Sequence, residues 1–130
     1  MNVLTIRTDK PEAEIGLFHD HNQLAYDTWE AHRQLAETIH IHIRTLLSSQ
    51  STELNDLEGI VVFKGPGSFT GLRIGVSVAN ALAESLQIPI VGTEDDEWIA
   101  AGLDCLQKGT NDRIILPEYG ALPNVSTPKK

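Results

Sequence analysis

The chain of 130 residues is long enough for one domain with its own core and too short for two ordinary domains. Its 18 acidic and 10 basic residues give a net charge of −8, which argues against direct nucleic-acid binding, because phosphate contacts need clustered lysine and arginine. The single cysteine, the lack of an apolar run of ~18–20 residues and the strand-like start without a signal peptide predict a cytoplasmic protein with no membrane span.

Hydrophobic periodicity predicts an antiparallel meander of three strands, followed by helices that alternate with short strands. The predicted elements are strands at residues 2–7, 12–18 and 23–30, a helix at 33–48, a strand at 60–63, a helix at 71–86, a strand at 89–92, a helix at 95–107 and a strand at 113–116. This order predicts an α/β fold with a mixed sheet, matching one half of an actin-like or ribonuclease-H-like (ASKHA) fold. We expect one lobe at residues 1–116 and an irregular tail at 117–130.

The stretch from Gly59 to Leu86 combines a strand, a glycine-rich corner and a helix. Residues 60–63 are continuously apolar, which is typical of a strand covered on both faces. The glycines that follow let the backbone turn sharply and pass close to another group. Thr70 is the predicted N-cap of the helix. The corner is punctuated by Gly65, Pro66, Gly67 and Gly71.

The helix after the corner is apolar over more than the ~100° that contact with a sheet requires. Either the sheet and the chain's other long helix cover this surface, or a second protein covers part of it. Small side chains at i, i+4 spacing mark where another backbone could approach. If that row faces a partner, Gly75→Arg or Ala79→Glu would block association and leave a folded monomer. The row consists of Gly71, Gly75, Ala79 and Ala83.

The glycine-rich corner matches no complete catalytic motif. It lacks the Gly-Lys-Ser/Thr end of a Walker A loop, the third glycine of a dinucleotide fingerprint and the Gly-x-Ser-x-Gly of a nucleophile elbow. The start of the helix could still hold a phosphate or carboxylate through its exposed N–H groups and an arginine. The residues of that predicted anion site are Gly67, Ser68, Thr70 and Arg73. One alternative function is therefore a small nucleotide-binding phosphotransferase or hydrolase that uses this corner.

The remaining polar residues predict no metal site, no other cofactor and no catalytic group. His19 and His21 lie in a predicted turn, and His40 and His42 diverge by ~200° on a helix, whereas zinc needs three or four converging ligands. The acidic run at 94–97 is interpreted as a solvated helix start that matches the helix dipole.

The run from Gly65 to Gly75, Gly-Pro-Gly-Ser-Phe-Thr-Gly-Leu-Arg-Ile-Gly, resembles the signature of the TsaB (YeaZ) family. His32 and Leu35 resemble the family's His-Ser-x-x-Leu helix start, although Arg33 stands where serine is usual. The approach to the strand at 54–59 and the helix exit at 81–92 are also similar to the family. The resemblance covers about residues 1–105.

The resemblance implies an actin-like fold and a non-catalytic scaffold subunit. Members pair with the catalytic subunit TsaD and, in bacteria, the ATPase TsaE, in a complex that transfers threonylcarbamoyl to the adenosine beside the tRNA anticodon. The contact with TsaD uses the two long helices, isolated members self-associate through the same surface, and tRNA is bound only indirectly. The interface residues implied here are His32, Leu35, Ala36, Ile39, His40, Ile43, Gly71, Leu72, Gly75, Val76, Ala79, Leu82 and Ala83.

Two features depart from the family. The first strand reads Ile6-Arg7-Thr8-Asp9 where Ile-Asp-Thr-Ser is common, and Arg7 in place of the acidic residue argues against independent ATP chemistry. A second lobe of similar size is usual in the family, and we expect this chain to work without it, with a tail similar to the ends of some full-length members. A homodimeric structural protein with no link to TsaD is a further alternative.

Overall fold

The computed structural model describes residues 1–67 and 69–118, apart from the side chains of His32 and Phe69. A five-stranded mixed sheet with the order β3-β2-β1-β4-β5 forms the centre of the fold. The elements are β1 (Asn2–Arg7), β2 (Glu12–His19), β3 (Asn22–Glu30), a 3-10 turn (His32–Gln34), α1 (Leu35–Ser49), a 3-10 turn (Leu54–Asp56), β4 (Gly59–Phe63), α2 (Phe69–Leu86), β5 (Ile90–Thr93) and α3 (Trp98–Gln107).

Strand pairing confirms the predicted meander followed by βα units. β1 and β2 pair antiparallel, as do β2 and β3, whereas β4 runs parallel to both β1 and β5. In the middle of the sheet, Leu4 lies opposite Leu17 on one side and Ile60 on the other, and all three side chains are fully buried. The buried side chains of β1 fix its register with both β2 and β4, because a slip of one residue would turn these side chains to the opposite face of the sheet.

The helices form a layer on each face of the sheet. Gly75 of α2 packs on Thr8, which directly follows β1 and, by the alternation of side chains along a strand, lies on the same face of the sheet as Leu4 and Ile6. Helix α1 lies beside α2 on that face. Gly102 of α3 packs on Val61, which points to the opposite face. The core therefore has three layers, and α1 and α2 share one face.

The predicted last strand at 113–116 is wrong. Residues 112–118, which we call the strap, run along the sheet without becoming a strand. The outward N–H groups of Ile90 and Gly92 are bound instead by the side-chain oxygens of Asn111 and Asp112, at 3.1 and 3.0 Å. Because these side chains occupy the donors of the β5 edge, a backbone ladder with the strap does not form.

The strap is nevertheless held firmly against α2. The amide side chain of Asn80 donates to the carbonyl of Ile115 and accepts from its N–H, both at 2.9 Å. Ile115 is buried, and the N–H of Glu118 donates to the carbonyl of Lys64 at 2.6 Å. The end of the strap therefore lies beside the glycine-rich corner.

Two predicted helix starts are wrong by a few residues. α2 begins at Phe69, so Thr70 lies inside its first turn and is not the N-cap. α3 begins at Trp98, and the acidic residues before it form a turn. No helix among the described residues is long and apolar enough to cross a bilayer. Most of the predicted tail, residues 119–130, lies outside the described part of the chain.

Candidate functional site

Three of the four small residues in the row on α2, Gly75, Ala79 and Ala83, are buried in the chain's own core, which corrects the expectation that the whole row faces a partner. Ala79 and Ala83 are 0% and 4% exposed. Gly75 is buried so closely that an added Cβ would overlap the Thr8 side chain. The small side chains let α2 approach the sheet closely, so they are core positions. The other predicted interface residues that this face buries are Leu72 and Val76.

Three predicted interface residues on α1 are also core residues. Leu35, Ile39 and Ile43 are at most 3% exposed, because this stripe of α1 packs on β2 and β3. The structure therefore places these three side chains in the core, where they offer little surface to a partner, and of the three Leu35 also lines the groove described below. Their contact with a partner stays a prediction. The side chain of His32 lies outside the described residues.

What the chain leaves uncovered is a narrower surface, which we call the open face. On α1 it includes Ala36 and His40, both exposed, and on α2 it follows a row of half-buried residues. These α2 positions recur at i, i+3 or i, i+4 spacing beside the buried residues, so they form one continuous apolar strip. The open face is made of Ala36, His40, Gly71, Ile74, Val78 and Leu82.

A groove of about 790 Å³ lies at the N-terminal end of the open face. It runs between the starts of the two helices and the loop that joins β1 to β2. Such a volume is in the range of sites that hold small molecules or several side chains. The groove is lined by Lys10, Pro11, Glu30, Ala31, Arg33, Gln34, Leu35, Thr70, Gly71 and Ile74.

The close approaches at the glycine-rich corner are made by the chain itself. A Cβ at Gly65 would overlap the carbonyl of Glu118 at the end of the strap, and one at Gly67 would overlap the side chain of Asp9. Of the predicted anion-site residues, Thr70 and Arg73 are exposed, Gly67 is half-buried and Ser68 lies outside the described residues. Gly65 and Gly67 are thus explained by packing.

Arg7 carries an ion pair at the end of β1. Its guanidinium lies 2.7 Å from the carboxylate of Asp9 and stacks 3.9 Å from the centre of the Phe63 ring. Because the charge of Asp9 neutralises that of Arg7, the end of β1 has little net charge. Thr8, between them, donates its hydroxyl proton to the carbonyl of Gly71 at 2.7 Å and ties this loop to α2.

Glu14 and Tyr26 form a charge-assisted hydrogen bond of 2.7 Å on the sheet face opposite α1. Burial alone would raise the pKa of Glu14, but hydrogen bonds from Tyr26 and from Lys10 outweigh burial and hold that pKa below its ordinary value. Burial and the bond to Glu14 together raise the pKa of Tyr26 above its ordinary value.

We expect Tyr26→Phe to destabilise the protein by about 1–2 kcal/mol at neutral pH, because a bond to a charged group is lost. The stability that ionised Glu14 contributes is present above its ordinary pKa of 4.5 and is lost as pH falls through the lowered folded value. Urea unfolding at pH 7 and near pH 3 should show the variant and wild type converging in acid. In a Glu14→Gln background the difference should not depend on pH, and a pH-dependent difference there would contradict the assignment.

A cluster that sequence reasoning missed joins β3 to α1. The ring of His42 stacks on Trp29 at 3.9 Å between centroids and bonds Asp27 at 2.7 Å, while Trp29 donates to Thr38 at 3.1 Å. The signal was present, since Asp27 and Trp29 share one face of a strand and Thr38 and His42 share one side of a helix. Among the described residues, no three metal-ligating side chains converge.

Comparison with known proteins gives a family match. The model described as "TsaD: tRNA N6-adenosine threonylcarbamoyltransferase" matches residues 29–111. The tRNA threonylcarbamoyladenosine biosynthesis protein TsaB of Escherichia coli is 30% identical over 107 residues, 78% of this chain and 44% of that protein. The protein of the same name from Bacillus subtilis is 49% identical over 59 residues, 45% of this chain and 26% of that protein. The tRNA N6-adenosine threonylcarbamoyltransferase of Geotalea daltonii is 42% identical over 67 residues, 52% of this chain and 20% of that protein.

Solved structures agree with these matches. YeaZ from Pseudomonas aeruginosa superposes with a TM-score of 0.68 and 28% identity, over 83% of this chain and 50% of that one. RuvC from Thermus thermophilus, 13% identical with a TM-score of 0.50 over 72% of this chain and 64% of that one, shares the fold alone. The predicted ribonuclease-H-like, actin-like lobe is therefore confirmed. The chain spans half or less of the TsaB and YeaZ proteins that it matches. It belongs to the TsaB (YeaZ) family.

Proposed function

We propose that the chain is a non-catalytic scaffold subunit in tRNA N6-threonylcarbamoyladenosine synthesis, and that it binds a TsaD-like catalytic subunit through the open face. Two relatives are named as tRNA threonylcarbamoyladenosine biosynthesis proteins TsaB. The threonylcarbamoyltransferase family model matches residues 29–111, which include both helices of the open face. Recruitment of a TsaE-like ATPase, self-association of the isolated chain and a cytoplasmic location stay predictions.

The observation that carries the proposal is the apolar strip on α2. Ile74, Val78 and Leu82 pack only partly against the core, although α2 lies between a sheet and a neighbouring helix. Half-covered apolar side chains in a continuous row are typical of a surface that another helix completes. The strip is narrower than the sequence predicted, since Gly75, Ala79 and Ala83 of the small-residue row are buried, but it lies on the same helix.

The charge of the chain supports an indirect contact with tRNA. A net charge of −8 repels a phosphate backbone, so the scaffold would leave the nucleic acid to its partner. The glycine-rich corner also fits a structural role, because the backbone space at Gly65 and Gly67 is used by Glu118 and Asp9 of the same chain.

The test is to mix the purified chain with the TsaD-like subunit of the same organism and measure association by size-exclusion chromatography and calorimetry. We expect a stable heteromeric complex with a Kd at or below about 1 μM, the affinity that corresponds to ~8 kcal/mol. The isolated chain should hydrolyse no ATP in the presence of magnesium. Failure to form the complex, or ATP turnover by the chain alone, would contradict the proposal.

A further inference from the structure

We propose that the groove beside the open face holds a segment of the partner in which an apolar side chain is flanked by a carboxylate, and that Arg33 pairs with that carboxylate. The inference rests on the proposed function, because the partner is the TsaD-like subunit. It adds the chemistry of the contact and names a residue that determines partner specificity.

Part of the groove lining is apolar. Leu35 and Ala31, 3% and 4% exposed, come from the α1 side, Ile74 comes from α2, and Pro11 closes the end. Ile74 is only half-buried in the chain alone, so an entering side chain would remove its remaining surface from water. An aliphatic or aromatic side chain fits this lining.

The charge at the groove points to an acidic neighbour for that side chain. Three charged residues line the groove. Lys10 is already bound to Glu14 at 2.9 Å, and Glu30 also has an interaction within the chain. Arg33 is exposed and makes no ion pair within residues 1–67 and 69–118. A guanidinium binds a carboxylate through two parallel hydrogen bonds, so Arg33 is suited to one acidic side chain rather than to a diffuse negative field.

Other occupants fit less well. The segment of this chain outside the structure ends in Lys129 and Lys130, which carry the same sign of charge as Arg33. An isologous second copy would present the same surface to itself, and the acidic residue of that lining, Glu30, already has an interaction within its own chain. RNA binding needs several clustered cations, and the chain as a whole is acidic. The complementary acid therefore comes from a different protein.

The test compares two charge reversals on the same stretch of chain. Arg33→Glu should weaken binding of the TsaD-like subunit about tenfold or more, because it places like charges in contact. The matched control is Arg44→Glu, an exposed arginine of α1 that does not line the groove, and it should change the Kd less than about threefold. Arg33→Gln should bind less tightly than wild type at low salt and approach it at high salt.

A second pair of variants tests the apolar part. Ile74→Ala should weaken binding by about tenfold, the loss expected when part of a buried side chain is removed. Ile114→Ala, on the strap and 68% exposed, provides the control and should leave the Kd unchanged. Thermal unfolding of each variant shows whether the fold is intact.

The outcomes separate this inference from the proposed function. If the wild-type chain does not bind the TsaD-like subunit, both are wrong. If it binds and Arg33→Glu behaves like Arg44→Glu, only the groove contact is overturned. If Arg33→Glu instead abolishes binding of tRNA or dimerisation of the chain, and leaves the TsaD-like subunit bound, the occupant is not the partner and the inference is overturned.

Discussion

Gly75→Arg is expected to abolish folding rather than to produce a soluble monomer that fails to associate. An added Cβ at this position already overlaps the Thr8 side chain, and the space beyond it is the buried face between α2 and β1. A long charged side chain there would have to be buried without a partner or push the helix off the sheet. Either cost exceeds the ~5 kcal/mol at the lower end of domain stability.

Smaller changes make this expectation measurable. Gly75→Ala should cost about 1–3 kcal/mol through overpacking, offset in part by the ~1 kcal/mol that alanine gains in helix propensity. In a Thr8→Ala background, the same change should cost less, because the overlapping hydroxyl and methyl groups are gone. Chemical unfolding of the wild type, the two single variants and the double variant gives the coupling energy directly.

The matched control is Ser77→Arg, two residues along α2 on its exposed side. It adds the same side chain without burying it, so the variant should unfold at nearly the wild-type temperature. If Gly75→Arg folds with normal stability, the packing of α2 on β1 described above is wrong.

The second large effect is expected at Ala36, an exposed residue of the open face. Ala36→Arg should lower the affinity for the TsaD-like subunit at least a hundredfold, because a large charged side chain within a packed helix interface would hold the two surfaces apart and bury a desolvated charge. The stability of the isolated chain should change by less than ~0.5 kcal/mol, as is usual for surface positions.

Thr45→Arg provides a control on the same helix. Thr45 is also exposed, and nine residues of a helix place it about 180° from Ala36, away from the open face. The change should leave the affinity within about twofold of wild type. Equal losses of affinity in Ala36→Arg and Thr45→Arg would show that the partner does not bind specifically to this face of α1.

The order of elements could be predicted because each carries a strong local signal. The alternation in β2 and β3, the continuous apolar run of β4 and the helical stripe of α1 all depend on residues close in sequence. Local patterns did not predict the conformation of the strap. Ile114 and Ile115 read as a strand, but Asn111 and Asp112 occupy the edge of β5, and that competition between side chain and backbone is not visible in periodicity.

The candidate site was predicted at the level of the helices and not of the side chains. The sequence predicted an apolar face on α2 too wide for a sheet alone, and Ile74, Val78 and Leu82 are only partly buried. A row of small residues, however, fits equally well against a partner or against a strand. What decided the question was Thr8, whose packing on Gly75 depends on the tertiary fold. The groove needs three distant segments, so no local pattern could locate it.

The side chains that satisfy β5 also determine how this sheet could be extended. With the outward N–H groups of Ile90 and Gly92 bound to Asn111 and Asp112, an incoming strand would find no free donors on these two residues. Strand addition at that edge would first have to displace both side chains. The nine-residue strand β3, at the other edge of the sheet, would pair with an incoming strand without such competition. Assembly by sheet continuation, in contrast to assembly through helices, would therefore proceed from the meander.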